Sequence, residues 1–365
     1  TPIEELLGID QMGQWMGFAL GDYDGDNDLD IFVTNMGYQP LERPWPNIPS
    51  ADCAYYHSTD TGTCFHALIE NRVNEGTDAN RPGAFVIVTG ETPVAASKIV
   101  PPNSLDEDFT TSLETEINGL EAYEFGFGTA FFDMDNDADQ DLYWLGSLAA
   151  RGEGPQGDFA PAFGRLRQND GNGAFTDIAA EARIIDSLAV DYSVLDPDED
   201  DFNAWKQRLG TEFHENGKGV AIGDLNGDGF IDVIGTNSNG ETFDSDGERA
   251  VASGPIFVWM NSGGDNHWVS FSLRGRMAID GTGSNADSIG AKITVSYASD
   301  SGETVTQTNE VLGSSSFLSM SSLDVHFGVG SANSVDVTVE WPSGRTTTLN
   351  EVDVNQLQEL TEPAS

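Results

Sequence analysis

The sequence predicts an all-β protein in two parts, a propeller-type region over residues 1–263 and a β-sandwich over residues 264–365. Three observations carry that prediction. An aspartate-rich turn occurs three times in one register. Each copy is flanked by short apolar runs. From about Asn266 onward, alternating apolar and polar segments are separated by Gly, Asn, Asp and Ser. Alternation bounded by turn residues is the mark of antiparallel strands.

The first turn reads Asp22-Tyr23-Asp24-Gly25-Asp26-Asn27-Asp28-Leu29-Asp30. The second reads Asp133-Met134-Asp135-Asn136-Asp137-Ala138-Asp139-Gln140-Asp141, and the third Asp224-Leu225-Asn226-Gly227-Asp228-Gly229-Phe230-Ile231-Asp232. Oxygen-bearing side chains fall at positions 1, 3, 5 and 9 of every copy. Phe18–Leu20, Thr129–Phe132 and Val220–Ile222 precede the turns, and Ile31–Val33, Leu142–Leu145 and Ile231–Ile234 follow them. The unit is therefore strand, acidic turn, strand.

Carboxylates crowded into nine residues repel one another, and a hard dication relieves that repulsion best. Calcium accepts carboxylate, amide and backbone oxygens in a flexible shell. Positions 1, 3 and 5 would supply side chains, position 9 would close the shell, and position 7 (Asp28, Asp139, Phe230) would act through its backbone carbonyl. A backbone role is indifferent to side chain, which accommodates Phe230. The helix–loop–helix calcium loop is an alternative that needs Glu at position 12 and Gly at position 6. Position 12 is Val33, Trp144 and Gly235, position 6 is Asn27, Ala138 and Gly229, and the flanks are strand-like. The remaining alternative is an ordinary acidic hairpin turn; three copies in one register favour calcium, about three ions in all.

After each turn comes a variable stretch, then a segment marked by Asn, Gly and Phe: Asn71–Gly76 with Ala84–Val88, then Arg165–Glu181, then Ile256–Gly264. Each unit thus offers about four strands, the composition of a propeller blade. The turns begin 111 and 91 residues apart, so long insertions are expected. Pro40–Arg81 carries both cysteines, Pro101–Glu121 reads as an acidic stretch with room for a short helix, and Asp186–Glu215 contains the acidic run Asp196–Asp201. That run reads either as a fourth cation site or as a solvated loop. Thr1–Ile9 lines up with Ala179–Ile184, the end of the second unit, so the chain appears in sequence to open on the close of a preceding blade. Three blades do not close a propeller. Upstream blades, strands within the insertions, or a neighbouring chain would each complete one.

The sandwich is read from Trp268–Leu273, Ala291–Tyr297, Thr304–Thr308, Leu323–Phe327, Val335–Trp341 and Arg345–Leu349, an antiparallel arrangement of about seven strands.

Among the 365 residues are 16 Lys+Arg and 61 Asp+Glu, a net charge of −45. A surface so acidic repels nucleic acid and anionic membrane and favours cations. No stretch approaches the length of a membrane-spanning helix. Cys53 and Cys64 lie in a loop rich in Thr, Asp and Tyr, where the expectation is a local disulfide and the alternative two free thiols. With calcium sites that fill readily outside cells, these features point to a secreted, extracellular or periplasmic location.

The residues also carry a resemblance. Each acidic unit resembles an FG-GAP/VCBS repeat, the blade of integrin α-subunit heads and many secreted proteins. The C-terminal part resembles the ASPIC/UnbV domain through Asn266-His267-Trp268, Leu273-Arg274-Gly275, Asn285–Ala291, Phe327-Gly328-Val329-Gly330 and Val339–Gly344. The pairing of the two is similar to the cartilage-acidic-protein group. The resemblance implies calcium at positions 1, 3, 5, 7 and 9 of each turn, with Asp28, Asp139 and Phe230 acting by backbone. This chain departs from the pattern in having fewer recognisable blades and longer insertions.

Function follows in outline. His57, His66, His214, His267 and His326 show no zinc spacing, and no nucleophile elbow or phosphate-binding glycine loop is present. Paired carboxylates suggest glycoside hydrolysis, but carboxylates that bind calcium are held ionised and donate no proton. Trp15, Trp144, Trp259 and Trp341 read as core or blade-edge aromatics. The expectation is a non-enzymatic calcium-binding structural or adhesion protein contacting other extracellular proteins or glycans. The alternatives are a homo-oligomeric surface or filament subunit completed by a neighbouring chain, and a secreted enzyme using the propeller cleft.

Overall fold

In the computed structural model each acidic turn joins two antiparallel strands, and the residue before position 1 pairs with position 9: Gly21 with Asp30, Phe132 with Asp141, Gly223 with Asp232. The structure describes residues 15–35, 66–73, 84–88, 126–146, 148–151, 158–161, 164–171, 173–179, 181–184, 217–238, 240–243, 249–252, 254 and 256–364. Cys53 and Cys64, the Asp196–Asp201 run, Thr1–Ile9 and the Pro101–Glu121 stretch lie outside them.

The first sheet has the order β1 (Trp15–Gly21), β2 (Asp30–Asn35), β3 (Ala67–Asn71), β4 (Phe85–Ile87). The second follows the same plan with β5 (Gly126–Phe132) and β6 (Asp141–Gly146). A separate hairpin, β7 (Leu148–Arg151) and β8 (Asp158–Pro161), interrupts it before β9 (Arg165–Asn169) and β10 (Phe175–Asp177) complete it. The third contains β11 (Gly217–Gly223) and β12 (Asp232–Asn237), a hairpin of β13 (Gly240–Phe243) and β14 (Arg249–Ala252), then β15 (Ile256–Trp259). Four strands were expected in this unit, but among the described residues the sheet β11-β12-β15 has three. The chain leaves it at Met260 and enters the next domain at His267. The pairing of each first strand is irregular four residues before its turn, at Phe18, Thr129 and Val220.

Strands β1, β5 and β11 lie side by side. Close approach there requires glycine: a Cβ on Gly17 would collide with the Phe127 carbonyl, and one on Gly128 with Val220. Ala19, Phe32 and Leu68 pack with Phe131, Trp144 and Phe175 between the first two sheets. Tyr143, Leu145 and Leu166 pack with Val220 and Val233, and with partly buried Trp259, between the second and third. Phe32 and Trp144 are fully buried, each burial worth roughly 1.5–3 kcal/mol. The three sheets do not close into a ring among the described residues.

The sandwich has the seven strands expected. One sheet is β19-β16-β22 and the other β18-β17-β20-β21, formed by β16 (His267–Arg274), β17 (Lys292–Ala298), β18 (Thr304–Glu310), β19 (Val325–Gly330), β20 (Ser334–Glu340), β21 (Thr346–Asp353) and β22 (Gln356–Thr361). It is not wholly antiparallel: β16 and β22 pair in parallel from Val269–Gln356 to Arg274–Thr361. Phe271, Ile293, Val295, Val337, Val339 and Trp341 form its core. Buried Glu362 ties its end by accepting from Arg345 Nη1 (2.7 Å) and from the backbone N–H groups of Arg276 (2.9 Å) and Ser284 (2.7 Å).

The loop between β18 and β19 reaches the first strands of all three sheets. Ser316 N–H donates to the Phe18 carbonyl (2.7 Å), Ser316 Oγ accepts from Thr129 N–H (3.0 Å), and Ser322 N–H donates to the Ile222 carbonyl (3.0 Å). Phe317 meets Phe127 edge-on at 4.9 Å. Gly219 of β11 lies close to Ser319 and the Phe317 carbonyl of the same loop. Among the described residues no helix is long and apolar enough to cross a membrane.

Candidate metal centres

The three turns share one backbone path. Positions 4 and 6 are left-handed in each: Gly25 (φ 76°) and Asn27 (69°), Asn136 (60°) and Ala138 (89°), Gly227 (77°) and Gly229 (85°). Gly and Asn suit that region because the steric penalty on φ > 0 is absent or small for them. The curl aims backbone N–H groups at the position-1 carboxylate. Asp22 accepts from Asn27, Asp133 from Asp137 and Ala138, and Asp224 from Gly227, Asp228 and Gly229. The position-5 carboxylate accepts from the N–H of position 7: Asp26 from Asp28, Asp137 from Asp139, Asp228 from Phe230.

Position 9 is a clamp. Asp30, Asp141 and Asp232 each accept the N–H of position 2 (Tyr23 3.2 Å, Met134 2.8 Å, Leu225 2.8 Å) with one oxygen. With the other, each accepts the N–H of an asparagine in or just after the third strand of its sheet: Asn71 (2.8 Å), Asn169 (2.9 Å) and Asn261 (2.8 Å). The asparagine side chains donate in turn to position 8, at Leu29, Gln140 and Ile231. Sequence reasoning marked these asparagines as part of the repeat but gave them no role. Asn169 and Asn261 follow their clamps by 28 and 29 residues, a coincidence that signals the pairing. At Asn71 the insertion stretches the interval to 41.

Two of the three turns gather carboxylates into a ligand set. Asp22, Asp24 and Asp30 bring oxygens within 4.8 Å of one another, and so do Asp133, Asp135 and Asp141. Buried oxygens without a hydrogen-bond partner stand in both turns: Oδ1 of Asp22 and Asp24 in the first, Oδ1 of Asp135 and Asp139 in the second. Burial, with neighbouring carboxylates adding to it, pushes Asp22 up to about 7 and Asp24 to about 6. Burial pushes Asp30 to about 9 and Asp139 to about 7, and it raises Asp133, Asp135 and Asp141 as well. A cation among them would favour the ionised form of these acids. The donor set is all oxygen and hard, which fits a hard divalent cation rather than a thiophilic metal.

The third turn differs. Asp224 and Asp232 accept backbone N–H groups as in the other turns, but here Asn226 Nδ2 also donates to Asp228 Oδ2 (2.8 Å). Leu225, Asn226 and Asp228 are exposed. The residues expected there keep the repeat's backbone but do not form a cluster like the other two. Phe230 is buried, and only its N–H is seen engaged, with Asp228.

The histidines within the described residues are structural. His66 Nδ1 accepts from Asn35 N–H (3.0 Å) between Phe32 and Trp144, and burial pushes it down to about 3, with Arg165 and Arg167 adding. His267 Nδ1 meets the Ala332 carbonyl at 2.7 Å. A cavity of about 430 Å³ lies between the sheets and the sandwich, walled by Phe131, Ile222, Trp268 and His326. Asp133, the carboxylate with raised pKa on its wall, belongs to the second turn, and burial pushes His326 down to about 4.

None of the curated proteins matches this chain. Residues 281–365 match the ASPIC and UnbV family, a span that takes in β17 to β22 and the loop that reaches the three sheets.

Proposed function

We propose that this chain is a calcium-dependent extracellular structural or adhesion protein, built as FG-GAP/VCBS-like propeller blades carrying an ASPIC/UnbV domain in the manner of the cartilage-acidic-protein group. The observation that carries the reading is the pair of turns whose buried carboxylate oxygens lack partners, Asp22 and Asp24 in one, Asp135 and Asp139 in the other. Asp22, Asp24, Asp26 and Asp30 would hold one ion; Asp133, Asp135, Asp137 and Asp141 would hold a second. Asp224, Asn226, Asp228 and Asp232 would hold a third more weakly. A bound dication supplies charge neutralisation alone. The chain's own part is to fix the turn, gather the carboxylates and so pin one strand pair to the third strand. The net charge of −45 supports partners that are cationic or neutral, extracellular proteins or glycans, rather than nucleic acid. A Cys53–Cys64 disulfide and secretion belong to the same reading.

Elemental analysis and a melting curve in excess EDTA test it. Two to three calcium ions per chain and a lower melting temperature on chelation are expected; no bound calcium, with no change in melting, would sink it. One observation favours self-assembly as a second reading. Among the described residues strand β15 ends the third sheet, with Ile256 69 %, Val258 52 % and, just past the strand, Met260 48 % exposed, an apolar row along that edge. Light scattering decides: a single species of 39 kDa removes that reading.

A further inference from the structure

The second turn is gripped from outside at positions 1 to 4 and 6. Gly328 of β19 lies against Asp133 and Asn136 so closely that any Cβ would collide with them. Asn261 Nδ2 donates to the Met134 carbonyl (2.7 Å) and Asn266 Nδ2 to the Asp135 carbonyl (2.9 Å). Ala138 packs against the sandwich core.

Asn136 carries the most. It is fully buried and left-handed. Its Nδ2 donates to the Gly229 carbonyl of the third turn (3.0 Å), its Oδ1 faces His326 Nε2 (2.7 Å), and its own carbonyl accepts from Gly330 N–H (2.9 Å). An amide oxygen only accepts, so His326 Nε2 bears the proton and Nδ1 accepts from the Ser270 hydroxyl (2.9 Å). The His326 ring stacks on Trp268 at 5.8 Å, and Trp268 in turn lies over Gly229. The first turn receives one comparable bond, from Asn169 to Tyr23, and that comes from the neighbouring sheet rather than from the sandwich.

We propose that the second turn is the joint on which the C-terminal domain docks, and that a divalent cation held there locks the joint. The proposal rests on the calcium reading above. Without a cation, Asp133, Asp135, Asp137 and Asp139 relieve their repulsion by taking up protons or, where the pH keeps them ionised, by opening the turn. That motion displaces the carbonyls of Met134, Asp135 and Asn136, which are the groups that seat Asn261, Asn266 and β19. Cation binding and domain docking are then coupled, each strengthening the other.

Hydrogen exchange followed by mass spectrometry on the full chain tests this, with calcium per chain measured in parallel. For the wild type in excess EDTA, and for Asp135→Asn in calcium, exchange in β16 and β19 should quicken about tenfold or more. Asp24→Asn should loosen β1 to β4 and leave β19 as in the wild type. Asn136→Gly keeps a residue tolerant of φ > 0 and removes no carboxylate. It should retain the wild-type calcium count yet quicken exchange in β19, so the test survives if Asp135→Asn fails to fold. Unchanged β19 protection in EDTA, with calcium demonstrably removed, overturns the coupling and leaves the calcium sites standing. Equal loosening of β19 by Asp24→Asn also overturns it. A wild-type chain that binds no calcium overturns the calcium reading itself, a failure distinct from that of the joint.

Discussion

The side-chain amide of Asn169 donates to the backbone carbonyl of Tyr23, 2.7 Å away and in a different sheet. Asn261 repeats the relationship one sheet later, donating to Met134 at 2.7 Å. Each asparagine is held in its own sheet by the position-9 carboxylate and stitches that sheet to position 2 of the turn before it. The carboxylates named first as cation ligands therefore also organise the packing of neighbouring sheets.

Replacing Asn169 or Asn261 with alanine should cost about 2–3 kcal/mol, since buried carbonyls at two places lose their donor. Asn71, whose amide donates to Leu29 at 3.3 Å within its own sheet, should cost about 1 kcal/mol. Denaturant titrations of the three variants in saturating calcium give the comparison. Equal losses at all three positions would refute the intersheet role.

Stability should depend on pH in opposite senses with and without calcium. In the metal-free chain Asp22, Asp24, Asp30 and Asp139 have folded pKa values of about 7, 6, 9 and 7, above an unfolded value of 3.8. The native state then binds more protons than the unfolded state, so this stability is present at low pH and is lost as pH rises through those values. His66 and His326 act the other way, but only below their unfolded value of 6.5. Burial lowers Lys218 to about 8, so it opposes the aspartates above that value; between pH 6.5 and 8 the aspartates dominate, and there in EDTA the melting temperature should fall as pH rises. In excess calcium the carboxylates are held ionised, and the melting temperature should instead fall toward acid pH as protons compete with the ion. The same slope in both buffers would contradict this.

Calcium should fill the turns unequally. The first and second offer unpartnered buried oxygens, whereas in the third position 3 is an amide, Asn226, bonded to Asp228, and both are exposed. Calorimetric titration should resolve two tight sites and one weaker by about tenfold or more, through fewer available charged ligands. Asp24→Asn and Asp135→Asn should each delete a tight site, and Asp228→Asn only the weak one. Three equivalent sites would count against this.

The strand–turn–strand units were legible because period-two patterning and a nine-residue register are local properties. The sandwich was legible for the same reason, and Val335–Trp341 alternates inside and out as its sequence does. What sequence concealed is long-range. Nothing local announces that Asp30 will meet Asn71 across an insertion, that β22 will run parallel to β16, or that Ser316 will reach Phe18 and Thr129. Nor do three similar turns betray their difference in burial, which is set by what packs on them: β19 on the second, open solvent beside Asn226 on the third.

Backbone strain at positions 4 and 6 gives a last test, with opposite signs at two positions. Gly25 has φ 76° and faces open space, so a methyl group there would meet no atom. Gly25→Ala should therefore cost about 1 kcal/mol through the backbone alone, because an L side chain in this region crowds its own carbonyl. Ala138 already bears that strain at φ 89° in the second turn, and its N–H donates to Asp133 Oδ2 at 2.9 Å. Ala138→Gly keeps that hydrogen bond and releases the strain, while losing a methyl contact with the sandwich core. A gain of about 0.5 kcal/mol is expected from the difference between these effects. Thermal melts of both variants in calcium read the two signs directly. If Ala138→Gly instead weakened the protein as Gly25→Ala does, the methyl contact with the sandwich would outweigh the strain, and packing rather than backbone conformation would set the residue at position 6 of the second turn.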